Sequence, residues 1–140
     1  MAEVVGTYNP KKVTMALGRH IASGFADDSF ISIEFQGDGT TSVTGADGEI
    51  IRSIDPNSQA IVKLVLLQSS TTNKFLIEQH YKDKESGEGV FPVSIKDLLG
   101  KTSFSASVAW VPKLATRAYG KAANMVEWEI HTGASELSQK

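Results

Sequence analysis

The chain is 140 residues long, with 41% hydrophobic and 21% charged residues and a formal net charge of −2 at pH 7. That length suits one domain with a real core. The charge balance carries no electrostatic footprint of a nucleic-acid binder. The absence of cysteine excludes disulfides, thiolate nucleophiles and zinc–thiolate sites. No apolar run is long enough to span a bilayer as a helix. The N-terminus lacks the basic-then-apolar pattern of a signal peptide.

Residues 1–12 carry little pattern and read as an N-terminal arm ending near Asn9-Pro10. From Val13 to Ile21, Val13, Met15 and Leu17 alternate with smaller or polar neighbours, a period of two that predicts a strand. Ser29 to Gln36 is clearer. Ile31, Ile33 and Phe35 share one face, and Ser32, Glu34 and Gln36 share the other. Gly37-Asp38-Gly39 ends the run with residues that tolerate positive φ.

Thr41–Thr44 and Glu49–Ile54 flank Gly45-Ala46-Asp47-Gly48. Asp-Gly between two β-capable runs is a strong hairpin signal. After a turn at Asp55-Pro56-Asn57-Ser58, Gln59 to Gln68 is the most apolar stretch, and the expectation is a strand buried on both faces and broken by Lys63. One helix is predicted, roughly Ser70 to Lys84. Ser69-Ser70-Thr71-Thr72 offers N-caps, Leu76, Ile77, His80 and Tyr81 form a stripe, and Ser86-Gly87 supplies a stop.

Val90 to Ile95 reads as a strand whose Pro92 demands an edge or a bulge. Asp97-Leu98-Leu99-Gly100 is a turn. Lys101 to Trp110 alternates Phe104, Ala106, Val108 and Trp110 against Ser103, Ser105, Ser107 and Ala109. Asn124 to His131 alternates Val126, Trp128 and Ile130 against Glu127, Glu129 and His131, and 132–140 is expected to fray as a C-terminal tail. The sum is a mainly β protein with one flanking α-helix and two packed antiparallel sheets, a sandwich or barrel, its body spanning 13–131.

Chemical motifs are weak. Leu99-Gly100-Lys101-Thr102 lacks the earlier glycine of a phosphate-binding loop, since Ile95 stands there, and it opens a strand instead of a helix. Asp38, Asp47 and Glu49 lie in glycine-rich loops without the spacing of a calcium loop. His20, His80 and His131 lack metal-ligand spacing, and no Gly-x-Ser-x-Gly elbow occurs. Asp27-Asp28 and Glu127/Glu129 are paired carboxylates that read as a turn and a strand face, while Trp110 and Trp128 read as core packing. No catalytic, cofactor or metal site is expected. A β-sheet ligand-binding or adhesion module is the other reading, and it needs a concave aromatic patch that the sequence does not display.

Several stretches together resemble bacteriophage tail tube proteins of contractile tails: Val43 to Glu49, Arg52-Ser53, Ala60 to Ser70, Asn73 and Leu76, Val93 to Gly100, Ala109-Trp110 and Glu127-Trp128. The resemblance covers about residues 8 to 131. It implies two packed antiparallel sheets, hexameric rings stacked into a hollow tube, and a lumen through which DNA leaves the capsid without specific binding. It also implies sheath, baseplate, tail terminator and tape-measure partners, and a place in the virion tail after assembly in the host cytoplasm. Tubes of non-contractile tails and of phage-like secretion or bacteriocin devices fit the same pattern.

A lumen should carry neutral or acidic walls, because basic ones bind phosphates through counterion release. Ser32, Glu34 and Gln36, or Ser103, Ser105 and Ser107, are the candidate lumen residues. Asp47, Gly48, Glu49 and Arg52 mark a candidate inter-subunit loop within 45–58, with the arm and the tail as further candidates for ring-to-ring contact.

Overall fold

The computed structural model describes residues 6–27 and 30–139. Residues 1–5 of the expected arm, Asp28 of the paired carboxylates, Ser29 and Lys140 lie outside the described residues. A turn of 3-10 helix at Pro10–Lys12 leads into strands β1 (Val13–Leu17), β2 (His20–Ile21), β3 (Ile31–Phe35), β4 (Thr40–Thr44), β5 (Ile50–Ile54) and β6 (Ala60–Leu67). Helix α1 (Thr71–Ser86) follows, then β7 (Phe91–Asp97), β8 (Thr102–Trp110), β9 (Met125–Thr132) and β10 (Ser135–Gln139). The protein is therefore mainly β with one helix and two antiparallel sheets, as the alternation predicts. The two sheets are unequal. One has eight strands in the order β2-β1-β7-β8-β9-β6-β3, with β10 pairing β8, and the other is the β4–β5 hairpin.

The large sheet folds back on itself. β8 pairs with β9 only at Ala109↔Thr132 and Trp110↔His131, so the sheet bends there. Phe35 of β3 then meets Phe104 of β8 edge to face, with ring centroids 6.0 Å apart. One layer is β1, β7, β8 and β10, and the other is β3, β6 and β9. Their inward residues form a single core in which Met15, Leu17, Val62, Leu64, Leu66, Val93, Phe104, Trp128 and Ile130 are essentially inaccessible. The hydrophobic effect makes this core the main stabilising term.

β6 departs from the sequence expectation. Ala60, Val62, Leu64 and Leu66 are buried, but Ile61 and Val65 are half-buried and Lys63 and Leu67 exposed. Its second face is an outer face of the folded sheet, so one face rather than both is sealed.

β8 departs more sharply. Between Phe91↔Ala109 and Val93↔Ala106, β8 uses one residue more than β7. This β-bulge reverses the phase: Ala109 is fully buried and Val108 is 43% exposed, against the expectation that Val108 faces the core. Pro92 sits opposite the bulge, where a missing N–H does least harm to the ladder. The carbonyl of Pro92 still accepts from the N–H of Gly18 at 2.8 Å. The bulge also marks the point where β8 changes partner, from β10 (Ala106↔Ser135) to β9. The frayed tail expected over 132–140 is instead strand from Ser135 to Gln139, seated on the free side of β8.

The helix follows its signals. The Ser70 hydroxyl accepts from the N–H of Thr72 at 3.2 Å, and Gly87 closes the helix in the left-handed conformation at φ +74. Leu76 is fully buried and Tyr81 is exposed, so the apolar stripe is narrower than its sequence suggests. Buried Asn73 ties the helix to the sheet. Its side-chain oxygen accepts from Trp128 Nε1 at 2.8 Å, and its Nδ2 donates to the carbonyl of Leu67 at 3.0 Å.

Candidate assembly surface

The β4–β5 hairpin is built as the sequence dictates. Gly48 takes φ +89, Asp47 Oδ1 accepts from the N–H of Glu49 at 3.1 Å, and the N–H of Gly45 donates to the carbonyl of Glu49 at 2.7 Å. The register pairs Thr40↔Ile54, Ser42↔Arg52, Val43↔Ile51 and Thr44↔Ile50. Alternation then places Ile50, Arg52 and Ile54 on one ribbon face, with Ile51 beside Val43 on the other. Both faces are open. Val43, Ile50, Ile51 and Ile54 are between 63% and 75% exposed, and every residue of both strands is exposed. Asp47, Gly48, Glu49 and Arg52 therefore sit together on a projecting ribbon, the tip and flank of one surface feature.

The root of the ribbon is fixed. Asp55 Oδ2 accepts from the N–H of Asp38 at 3.0 Å and Oδ1 from the N–H of Asn57 at 2.9 Å. These bonds, Asn57 first and Asp38 second, hold the Asp55 carboxyl below its ordinary pKa. Gly37 lies so close to the carbonyl of Asn57 that a Cβ there collides with backbone.

The two candidate lumen sets lie on opposite outer faces. Ser32 and Glu34 project from β3, with Gln36 just beyond it, all exposed. Their cross-strand rows are Ser32–Lys63–Glu129 and Glu34–Ile61–His131, with Val65 beside Glu127. Glu129 accepts from His131 at 2.9 Å, and that bond chiefly lowers its pKa, helped by the charges of His131, Lys63 and Lys113. Ser103 and Ser105 project from the other layer. Their rows are Thr14–Lys96–Ser103–Ser138 and Ala16–Ser94–Ser105–Glu136, and Ser107 is exposed at the bulge. One surface can thus carry one set and not both.

The discounted motifs have local roles. His20 Nε2 lies 2.9 Å from Thr72 Oγ1, and its ring stacks on Phe75. His80 Nδ1 lies 2.9 Å from the carbonyl of Val111. Asp97 Oδ1 accepts from the N–H of Gly100 at 3.1 Å, closing the turn before β8. Among the described residues no His, Cys, Asp and Glu cluster is suited to a metal ion. Asn73 stands among the residues that carry the resemblance, but sequence reasoning missed its role as the acceptor for Trp128. The available signal was Trp128 on a core-facing position, since a buried indole N–H needs an acceptor.

This geometry is that of a β-sheet protein whose prominent surface features are an apolar ribbon and strand edges. Its fold is shared with tube and tube-terminator subunits of phage-like injection systems. The tube-terminating cap of the anti-feeding prophage superposes with a TM-score of 0.63 at 11% identity, covering 100% of this chain and 96% of that one. The sheath–tube complex of the extracellular contractile injection system PVC gives a TM-score of 0.58 at 9% identity, covering 96% and 93%. In sequence, the chain is 30% identical over 138 residues to structural protein ORF10 of Pseudomonas phage KPP10, covering 93% of this chain and 80% of that protein. Residues 13–138 match the bacteriophage PhiTE tail tube protein family, and the chain belongs to that family.

Proposed function

We propose that copies of this chain close into hexameric rings and that the rings stack into the tail tube through which the genome is delivered. The observation that carries the reading is the ribbon. In a member of a tail tube family, both faces of a two-stranded hairpin display isoleucine and valine to solvent. A lone hairpin is marginal in water, and apolar display on both sides calls for other copies to cover it. Strand edges support the same reading. Among the described residues β3 pairs only with β6, so its outer edge is open to a neighbouring copy.

The lumen wall in this reading is the face formed by β3, β6 and β9. Glu34, Glu127 and Glu129 outnumber Lys63 and Lys113 there, whereas Lys96 and Glu136 balance on the opposite face. An acidic wall lets polyphosphate pass without binding it. Ser32, Glu34 and Gln36 then line the channel, and Ser103, Ser105 and Ser107 do not. Asp47, Gly48, Glu49 and Arg52 contact neighbouring subunits. Structural likeness to a sheath–tube complex supports a contractile tail with sheath, baseplate, terminator and tape-measure partners.

Negative-stain electron microscopy of the purified, concentrated chain tests the proposal. Hollow tubes or six-fold rings are the expected result. A monomer that persists at high concentration overturns it.

A further inference from the structure

A groove runs along the unpaired edge of β3, between that strand and the end of β7. Its apolar lining comes from Phe30, Ile31, Ile33 and Ile95 together with Tyr8, Pro10 and Val13 from the start of the chain, and Asp27 and Asp97 line it as well. Among the described residues neither carboxylate pairs with a cation, and Arg52 pairs with no carboxylate. At another opening the carboxylates already have a lysine beside them. Glu129 has His131, with Lys63 and Lys113 nearby, and Lys113 also lines the opening beside Glu127.

The ribbon offers the complement. One of its faces presents Ile50 and Ile54 on either side of Arg52, an apolar–cationic–apolar order suited to an apolar groove with acidic margins. We infer that this ribbon face of one copy docks into the β3-edge groove of a second copy, with Arg52 placed against Asp27 and Asp97. The inference rests on the tube reading and gives its inter-subunit contact a donor face and an acceptor groove. Apolar contact supplies attraction, and the charges fix register and exclude wrong pairings.

The test uses full-length chains in two charge-reversed forms, Arg52→Glu and the double variant Asp27→Arg/Asp97→Arg. Circular dichroism and denaturant titration first verify that each is folded. Because Asp97 also closes the turn at Gly100, Asp27→Arg alone is carried as a second acceptor variant. Each form by itself should raise the concentration needed for sedimentable polymer by about tenfold or more, the scale of one like-charge contact. Mixed in equal amounts, the two forms should polymerise together, because every ribbon then finds a groove of opposite charge. Two results overturn the inference while leaving the tube reading intact: Arg52→Glu polymerising like the parent chain, or folded variants whose mixture stays unassembled beside a polymerising parent. A parent chain that never polymerises overturns both.

Discussion

Strands β5 and β6 are separated by residues 55–59 and are both rich in branched apolar residues, yet they end in opposite environments. In β6, Val62, Leu64 and Leu66 are sealed in the core between β3 and β9. In β5, Ile50, Ile51 and Ile54 face solvent. β-propensity is the same in both, because branched side chains suit any pleated strand. What differs is the cover. β6 has neighbours within its own chain, and among the described residues β5 has only β4. The apolar content of a strand therefore reports that something will cover it, without saying whether the cover is intramolecular.

The contrast can be broken by substitution. Leu64→Ala opens a cavity in the core and should cost the subunit about 3 kcal/mol, read as a lowered denaturant midpoint. A loss under about 1 kcal/mol would mean that the core is not packed as described. Ile51→Ser should change subunit stability by less than about 0.5 kcal/mol, because the side chain is already in water, while polymer yield in sedimentation falls sharply. If subunit stability falls as it does for Leu64→Ala, the ribbon is covered within its own chain and the comparison fails.

A finer effect concerns the ribbon's root. The Asp55 pKa is depressed, so its bonds to Asp38 and Asn57 contribute above the ordinary carboxylate range, about 3.9. The contribution fades as pH falls through the lowered value. In a pH titration followed by NMR, the amide protons of Asp38 and Asn57 should shift together with a midpoint below that of a free aspartate. A midpoint at or above the ordinary value would remove the clamp from the account.

Much of this architecture was legible where one signal governs one element. Ile31, Ile33 and Phe35 announce β3, Asp47-Gly48 announces the hairpin, and Ser70 and Gly87 bound the helix. The rest depends on contacts distant in sequence. The phase reversal in β8 is invisible in Ser103 to Trp110 alone, and only Pro92 in the neighbouring strand hints at a bulge. β10 has polar alternation without a hydrophobic face, so nothing local distinguishes it from a loose end. The serines of β3 and β8 look equivalent in sequence and are separated by the fold that turns one sheet into two layers. The groove combines residues from the start of the chain, β1, β3, β7, β8 and the segment before β3, a juxtaposition that no local pattern encodes.

The close approach of Gly37 to Asn57 and the two bonds to Asp55 have a kinetic meaning. They aim the ribbon when the subunit folds, so its orientational entropy is lost before any encounter. Docking then starts from a preset arm instead of a tether that must search, which leaves more of the apolar contact energy to appear as affinity. Loosening that root should weaken polymerisation even with the faces of the ribbon unchanged.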